Sequence, residues 1–128
     1  MPTLDDVADI ATSLPEVEEE DRRGTRAWRV GKKVFAWERA FRKVDLERFG
    51  SEAPPTGPIL AVRVDDLSEK EAVLAPDQDG FFTIPHFDGY PAVLIRLEAV
   101  EEQALREAIV DGWLACAPKR LTEAYVTD

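Results

Sequence analysis

Residues 26–37 read Arg-Ala-Trp-Arg-Val-Gly-Lys-Lys-Val-Phe-Ala-Trp, two short alternating runs on either side of Gly31-Lys32. A glycine at the first central position is what a two-residue type II′ hairpin turn requires. The register this turn implies places Trp28 opposite Phe35, and residues facing each other across an antiparallel pair share a sheet face. Arg26, Trp28, Val30, Lys33, Phe35 and Trp37 are therefore expected on one face, the aromatic core side. Ala27, Arg29, Val34 and Ala36 are expected on the other.

Upstream, Thr3 with Asp5 and Asp6 forms a helix start, a capping oxygen followed by acids at the positive end of the helix dipole. Leu4, Val7, Ala8, Ala11 and Leu14 recur at helical spacing until Pro15. Downstream, residues 50–58 hold three prolines and two glycines and are expected to be a surface loop. Ile59 to Val64 reads as the next strand. A short helix follows, with Ser68 as cap and Glu71 three residues on, and Pro76 stops it. Phe81 to Ile84 and Ala92 to Leu97 read as strands flanking a connection with two prolines, Pro85 to Pro91. Leu105, Ile109, Trp113 and Cys116 form a helical stripe from about Glu101, and Pro118 separates it from a terminal helix. The order α-β-β-β-α-β-β-α predicts a single-domain α+β sandwich over 1–128. Its antiparallel sheet would carry helices on one face and leave the other open to water.

The 128 residues carry 16 Lys and Arg against 26 Asp and Glu, a formal charge of −10. That average repels polyanions in general. Resolved along the chain it describes no real surface. Nine of the sixteen basic residues lie between Arg22 and Lys43 with only Glu38 among them, a +8 segment set against −18 elsewhere. Glu16, Glu18, Glu19, Glu20 and Asp21 stand directly before it. Neighbouring elements that neutralise each other account for such a dipole without any ligand. One cysteine excludes an internal disulfide framework, and the chain shows neither a signal sequence nor an apolar run of membrane-spanning length. A cytoplasmic protein is the expectation.

Alternation along the strands repeats one detail. Ile59, Ala61 and Arg63 face one way on one strand, and Ala92, Leu94 and Arg96 do so on another. Together with the Arg29 set they predict a flat, open face bearing Arg29, Arg63 and Arg96. With Arg26, Lys32 and Lys33 of the hairpin, this face could receive an anionic partner, DNA or an acidic protein surface. Arginine stems roofing an uncovered sheet explain the same pattern without a partner. His86, Tyr90 and Trp28 form a candidate small-molecule pocket. Asp5, Asp9, Glu18 and Glu20 are a weaker candidate for hard cations.

Catalytic and cofactor signatures are lacking. His86 is the only histidine and Cys116 the only cysteine, which rules out paired-histidine metal motifs, and Cys116 falls on a helix's apolar stripe, where a buried inert thiol is expected. Phosphate-binding glycine loops and nucleophile elbows are absent. A non-enzymatic binding protein with no cofactor is the expectation.

Three segments together resemble the MmcQ/YjbR family of small bacterial proteins: residues 28–36, the string His86-Phe87-Asp88-Gly89-Tyr90-Pro91-Ala92-Val93-Leu94-Ile95-Arg96-Leu97, and Trp113 with Ala117-Pro118-Lys119-Arg120-Leu121. The resemblance implies a fold like that of the frataxin homologue CyaY, and the DNA-binding role suggested for the family. It supplies no catalytic residue. Through the frataxin likeness it also implies the cation alternative at the acids of the first helix and the segment after it.

Overall fold

A computed structural model describes residues 2–22, 24–39, 58–76, 79–84, 87 and 89–127. Its elements are α1 (Leu4–Thr12), β1 (Val17–Arg22), β2 (Thr25–Val30), β3 (Lys33–Glu38), β4 (Ile59–Arg63), α2 (Leu67–Leu74), β5 (Phe81–Phe82), β6 (Ala92–Arg96), α3 (Glu102–Cys116) and α4 (Lys119–Thr127). The strands form one antiparallel sheet in the order β1-β2-β3-β4-β6-β5. This is the α+β architecture expected from the sequence. Residues 50–57 of the expected loop lie outside the described residues, as do Arg23, Arg42 and Lys43 of the basic segment.

Local signals placed most elements correctly. Thr3 caps α1 by accepting from the Asp6 amide, and the Asp6 carboxylate accepts from the Thr3 amide in return. At α2 the cap is Asp66, whose carboxylate accepts from the Glu69 amide. Ser68, expected in that role, lies inside the helix because the aspartate two residues earlier takes the position.

β1 is the strand that the sequence expectation lacks. Five of its six side chains are charged, a composition with low strand propensity. It forms because β2 offers the complementary charges across the ladder: Glu18 lies opposite Arg29 and Asp21 opposite Arg26. The acidic cluster and the start of the basic segment therefore neutralise each other as adjacent strands.

The β2–β3 hairpin turns at Gly31 (φ 60°), with Val30 paired to Lys33. Beyond the turn the expected register fails. Arg29 pairs with Val34, but Trp28 pairs with Ala36, so Phe35 is the extra residue of a β-bulge. Phe35 and Ala36 both turn toward the helices and join the main core, and Trp37 is thrown to the opposite face. Trp28 thus faces Ala36 rather than Phe35, and Ala36 and Trp37 exchange the sides expected of them.

The main core lies between the sheet and α1 and α3. It contains Val7, Trp28, Phe35, Leu60, Val62, Ile95, Leu105, Ile109 and Trp113, with Cys116 buried at its edge. Gly112 sets how closely α3 approaches: a Cβ there would stand 2.7 Å from Val62 Cγ1, 3.1 Å from the Arg63 carbonyl and 3.3 Å from that of Phe35.

The second sheet face is not bare. Ile84 and Phe87 lie over Ile59, Ala61, Ala92 and Leu94, with Trp37 and Phe82 packed against them. The expected open face is corrected accordingly. The small residues that were to leave a flat wet surface instead make room for the segment that crosses it.

Candidate anion-binding groove

What the second cluster leaves uncovered is a groove. Thr25, Ala27, Lys32, Lys33, Val34, Trp37, Arg63 and Tyr90 line a cavity of about 420 Å³ open to solvent. β2 contributes Ala27, β3 contributes Val34 and Trp37, and β4 contributes Arg63, all on one face by the strand register. The hairpin tip supplies Lys32 and Lys33. Tyr90 arrives from the connection before β6.

The aromatic side chains support one another. Trp37 stacks on Phe87 with centroids 6.4 Å apart, and Tyr90 meets both rings edge-on, at 6.5 Å from Trp37 and 5.7 Å from Phe87. The Arg63 guanidinium lies 5.3 Å from the Tyr90 ring centroid, and Arg39 lies 5.7 Å from that of Phe87. Lys70 anchors the connection from below. This lysine is buried on α2, and among its contacts its ammonium donates to the Phe87 carbonyl at 2.6 Å and the Tyr90 carbonyl at 2.9 Å.

The basic residues divide into committed and available groups. Arg26 sits on the helix face, bonded to Asp5 at 2.9 Å and Glu19 at 3.0 Å, over Trp28. Its two carboxylate partners raise its already high pKa further. Arg29 shares the second face but is paired with Glu18 and donates to the Gly31 carbonyl. Arg96 lies at the opposite end of the β4–β6 ladder from Arg63, beside Glu98 at 4.0 Å. Lys32 and Lys33 form no ion pair among the described residues, and both are exposed. Of six cations expected on one surface, three therefore meet: Lys32, Lys33 and Arg63.

Two other candidate sites are taken apart. Trp28 is fully buried on the helix face, where its indole N–H donates to Glu19 at 2.9 Å, so it cannot share a pocket with Tyr90. His86 lies outside the described residues. The acids Asp5, Asp9, Glu18 and Glu20 are not gathered either, since Asp5 reaches Arg26 on the helix side while Glu18 and Glu20 face the other way. Among the described residues no group of three or more His, Cys, Asp or Glu could hold a metal ion.

Trp37 and Lys70 are site residues that the sequence concealed. The bulge that re-aims Trp37 has no local signature, and nothing marks Lys70 as different from any other lysine in a charged helix.

A family model for YjbR matches residues 12–115. The chain belongs to the YjbR family. This YjbR protein is 48% identical over 131 residues to the uncharacterised protein Rv2570 of Mycobacterium tuberculosis and to Mb2600 of Mycobacterium bovis, with 100% of this chain and 98% of each relative covered. A crystal structure of the Deinococcus radiodurans protein DR2400, with a DUF419 domain, superposes with a TM-score of 0.62 at 21% identity, covering 97% of this chain and 85% of that one. That likeness concerns the fold. Among the described residues no helix is long and apolar enough to cross a membrane.

Proposed function

We propose that this YjbR protein is a non-enzymatic, cytoplasmic binding protein that receives a DNA backbone in the groove of Lys32, Lys33 and Arg63. The observation that carries this reading is the contrast among its cations. Arg26 and Arg29 are held by carboxylates, whereas Lys32 and Lys33 are exposed, without an ion pair among the described residues, and beside an aromatic-walled cavity. A phosphate chain satisfies that arrangement at little reorganisation cost, and the acids elsewhere disfavour other orientations.

The support for the cation alternative is the CyaY-like fold that the family resemblance implies. It is the weaker reading, because Asp5 and Glu18 already serve Arg26 and Arg29. An acidic protein surface would use the same three cations but leave Trp37 and Tyr90 without a role.

Fluorescence anisotropy with labelled DNA at low salt tests the proposal. Three phosphate contacts give a slope of log K against log salt between about −2 and −3. The double substitution Lys32→Glu and Lys33→Glu, at exposed positions, is expected to abolish binding and leave the fold intact. Absence of binding at tens of micromolar protein, or binding indifferent to the double substitution, overturns it.

A further inference from the structure

We infer, resting on that reading, that the groove selects single-stranded DNA by stacking one unpaired base against Trp37 and Tyr90. Phosphate binding alone needs only cations. This groove places its three cations around two aromatic side chains, and Tyr90 is 39% exposed. Phe87 covers one side of the Trp37 ring, so the part of the indole that lines the groove is its other side. A single base fits the 420 Å³ space, which is within the range of about 300–1,000 Å³ typical of sites for small ligands. Bases in a duplex are already stacked on their neighbours and cannot enter. A single strand offers ring faces beside its phosphates, the combination that aromatic platforms flanked by cations accept.

The borders of the groove favour the same choice. Three strand spacings of about 4.8 Å separate β4 from β1, about 14 Å in all, which is near the ~12 Å width of a duplex major groove. A duplex with one backbone on Arg63 would bring its other backbone toward β1. Among the residues of β1 whose side chains are described, Glu18, already paired with Arg29, and Glu20 lie on that face. These two carboxylates disfavour a second phosphate backbone there, whereas one strand avoids them.

The test uses the full chain at low salt with three labelled oligonucleotides of equal length: a single strand, its duplex, and a phosphodiester strand made of abasic units. Tryptophan quenching is followed alongside anisotropy. Trp28 and Trp113 are fully buried, so quenching reports Trp37. The single strand is expected to bind at least fivefold tighter than either the duplex or the abasic strand, and to quench. Tyr90→Ala should cost the single strand about five- to a hundredfold in affinity and leave the abasic strand unchanged. Trp37→Leu should do the same and remove the quenching. Tyr90 is the more exposed of the two, so its variant keeps the test valid where loss of Trp37 disturbs packing on Phe87. Equal affinity for the abasic strand or the duplex, with binding still dependent on Lys32 and Lys33, overturns base stacking while the phosphate reading stands. Absence of binding to all three overturns both.

Discussion

Lys70→Met isolates the anchor beneath the groove. Methionine keeps the length and the apolar stem but removes the ammonium that donates to the Phe87 and Tyr90 carbonyls at 2.6 and 2.9 Å. Hydrogen bonds from a charged donor contribute about 1.5–3 kcal/mol each, and two would make about 3–6 kcal/mol. Against this stands the desolvation of an ammonium that is only 7% exposed, which methionine avoids. The net loss is expected to be about 2–3 kcal/mol. With a urea m value near the middle of the ~1–3 kcal/mol/M range, the unfolding midpoint should fall by roughly 1–1.5 M at unchanged m. A midpoint that stays put or rises would refute the reasoning, because it would mean that desolvation cancels both bonds. On the function proposed above, the same substitution should weaken binding of DNA, since Tyr90 loses its support although Lys70 does not line the groove. An unchanged affinity in a destabilised variant would show that the Arg63–Tyr90 contact alone holds the tyrosine.

Three further outcomes follow from packing and protonation. Gly112→Ala should lower the thermal midpoint, because a clash with Val62 and two carbonyls costs about 1–3 kcal/mol, more than the ~1 kcal/mol gained in helix propensity; a higher midpoint would show that α3 has room to retreat. Asp111 lines a cavity between α2 and α3, and its carboxyl is pushed up by desolvation and then by the nearby Glu69 and Glu107. The folded state therefore holds that proton more tightly than the unfolded state, and stability declines as pH rises from the ordinary aspartate value through the higher folded one. Asp111→Asn should accordingly stabilise the protein at pH 7 and have little effect near pH 3, and equal shifts in denaturant midpoint at both pH values would contradict this. Burial pushes the Cys116 thiol up and closes access to it, so a disulfide reagent should label it only after denaturation; prompt labelling of the native protein would place the thiol at the surface.

Where local chemistry decides, the sequence was readable. The α1 cap, the Gly31 turn and the apolar stripe ending at Cys116 each depend on residues within a few positions of one another, and each appears where expected. Family membership was legible from the string around Tyr90 and Ala92 and from Trp113. The location of Arg63 and Arg96 on one face followed from strand alternation, which holds in β4 and β6. β1 was not legible, because a run of acids becomes a strand only when a basic strand lies beside it.

The amino-acid order by itself determined the α+β class, the two poles of charge and the arginine side of the central strands, since all three follow from short-range periodicity and composition. Tertiary structure alone decided which cations remain available and which aromatic residues stand beside them. Pairing with β1 commits Arg26 and Arg29, one inserted residue at Phe35 sends Trp37 to the far face, and Lys70 holds Tyr90 over Arg63. Each of these depends on contacts between segments distant in the chain, where the energy of a charge or a ring is set by what packs against it rather than by its neighbours in sequence.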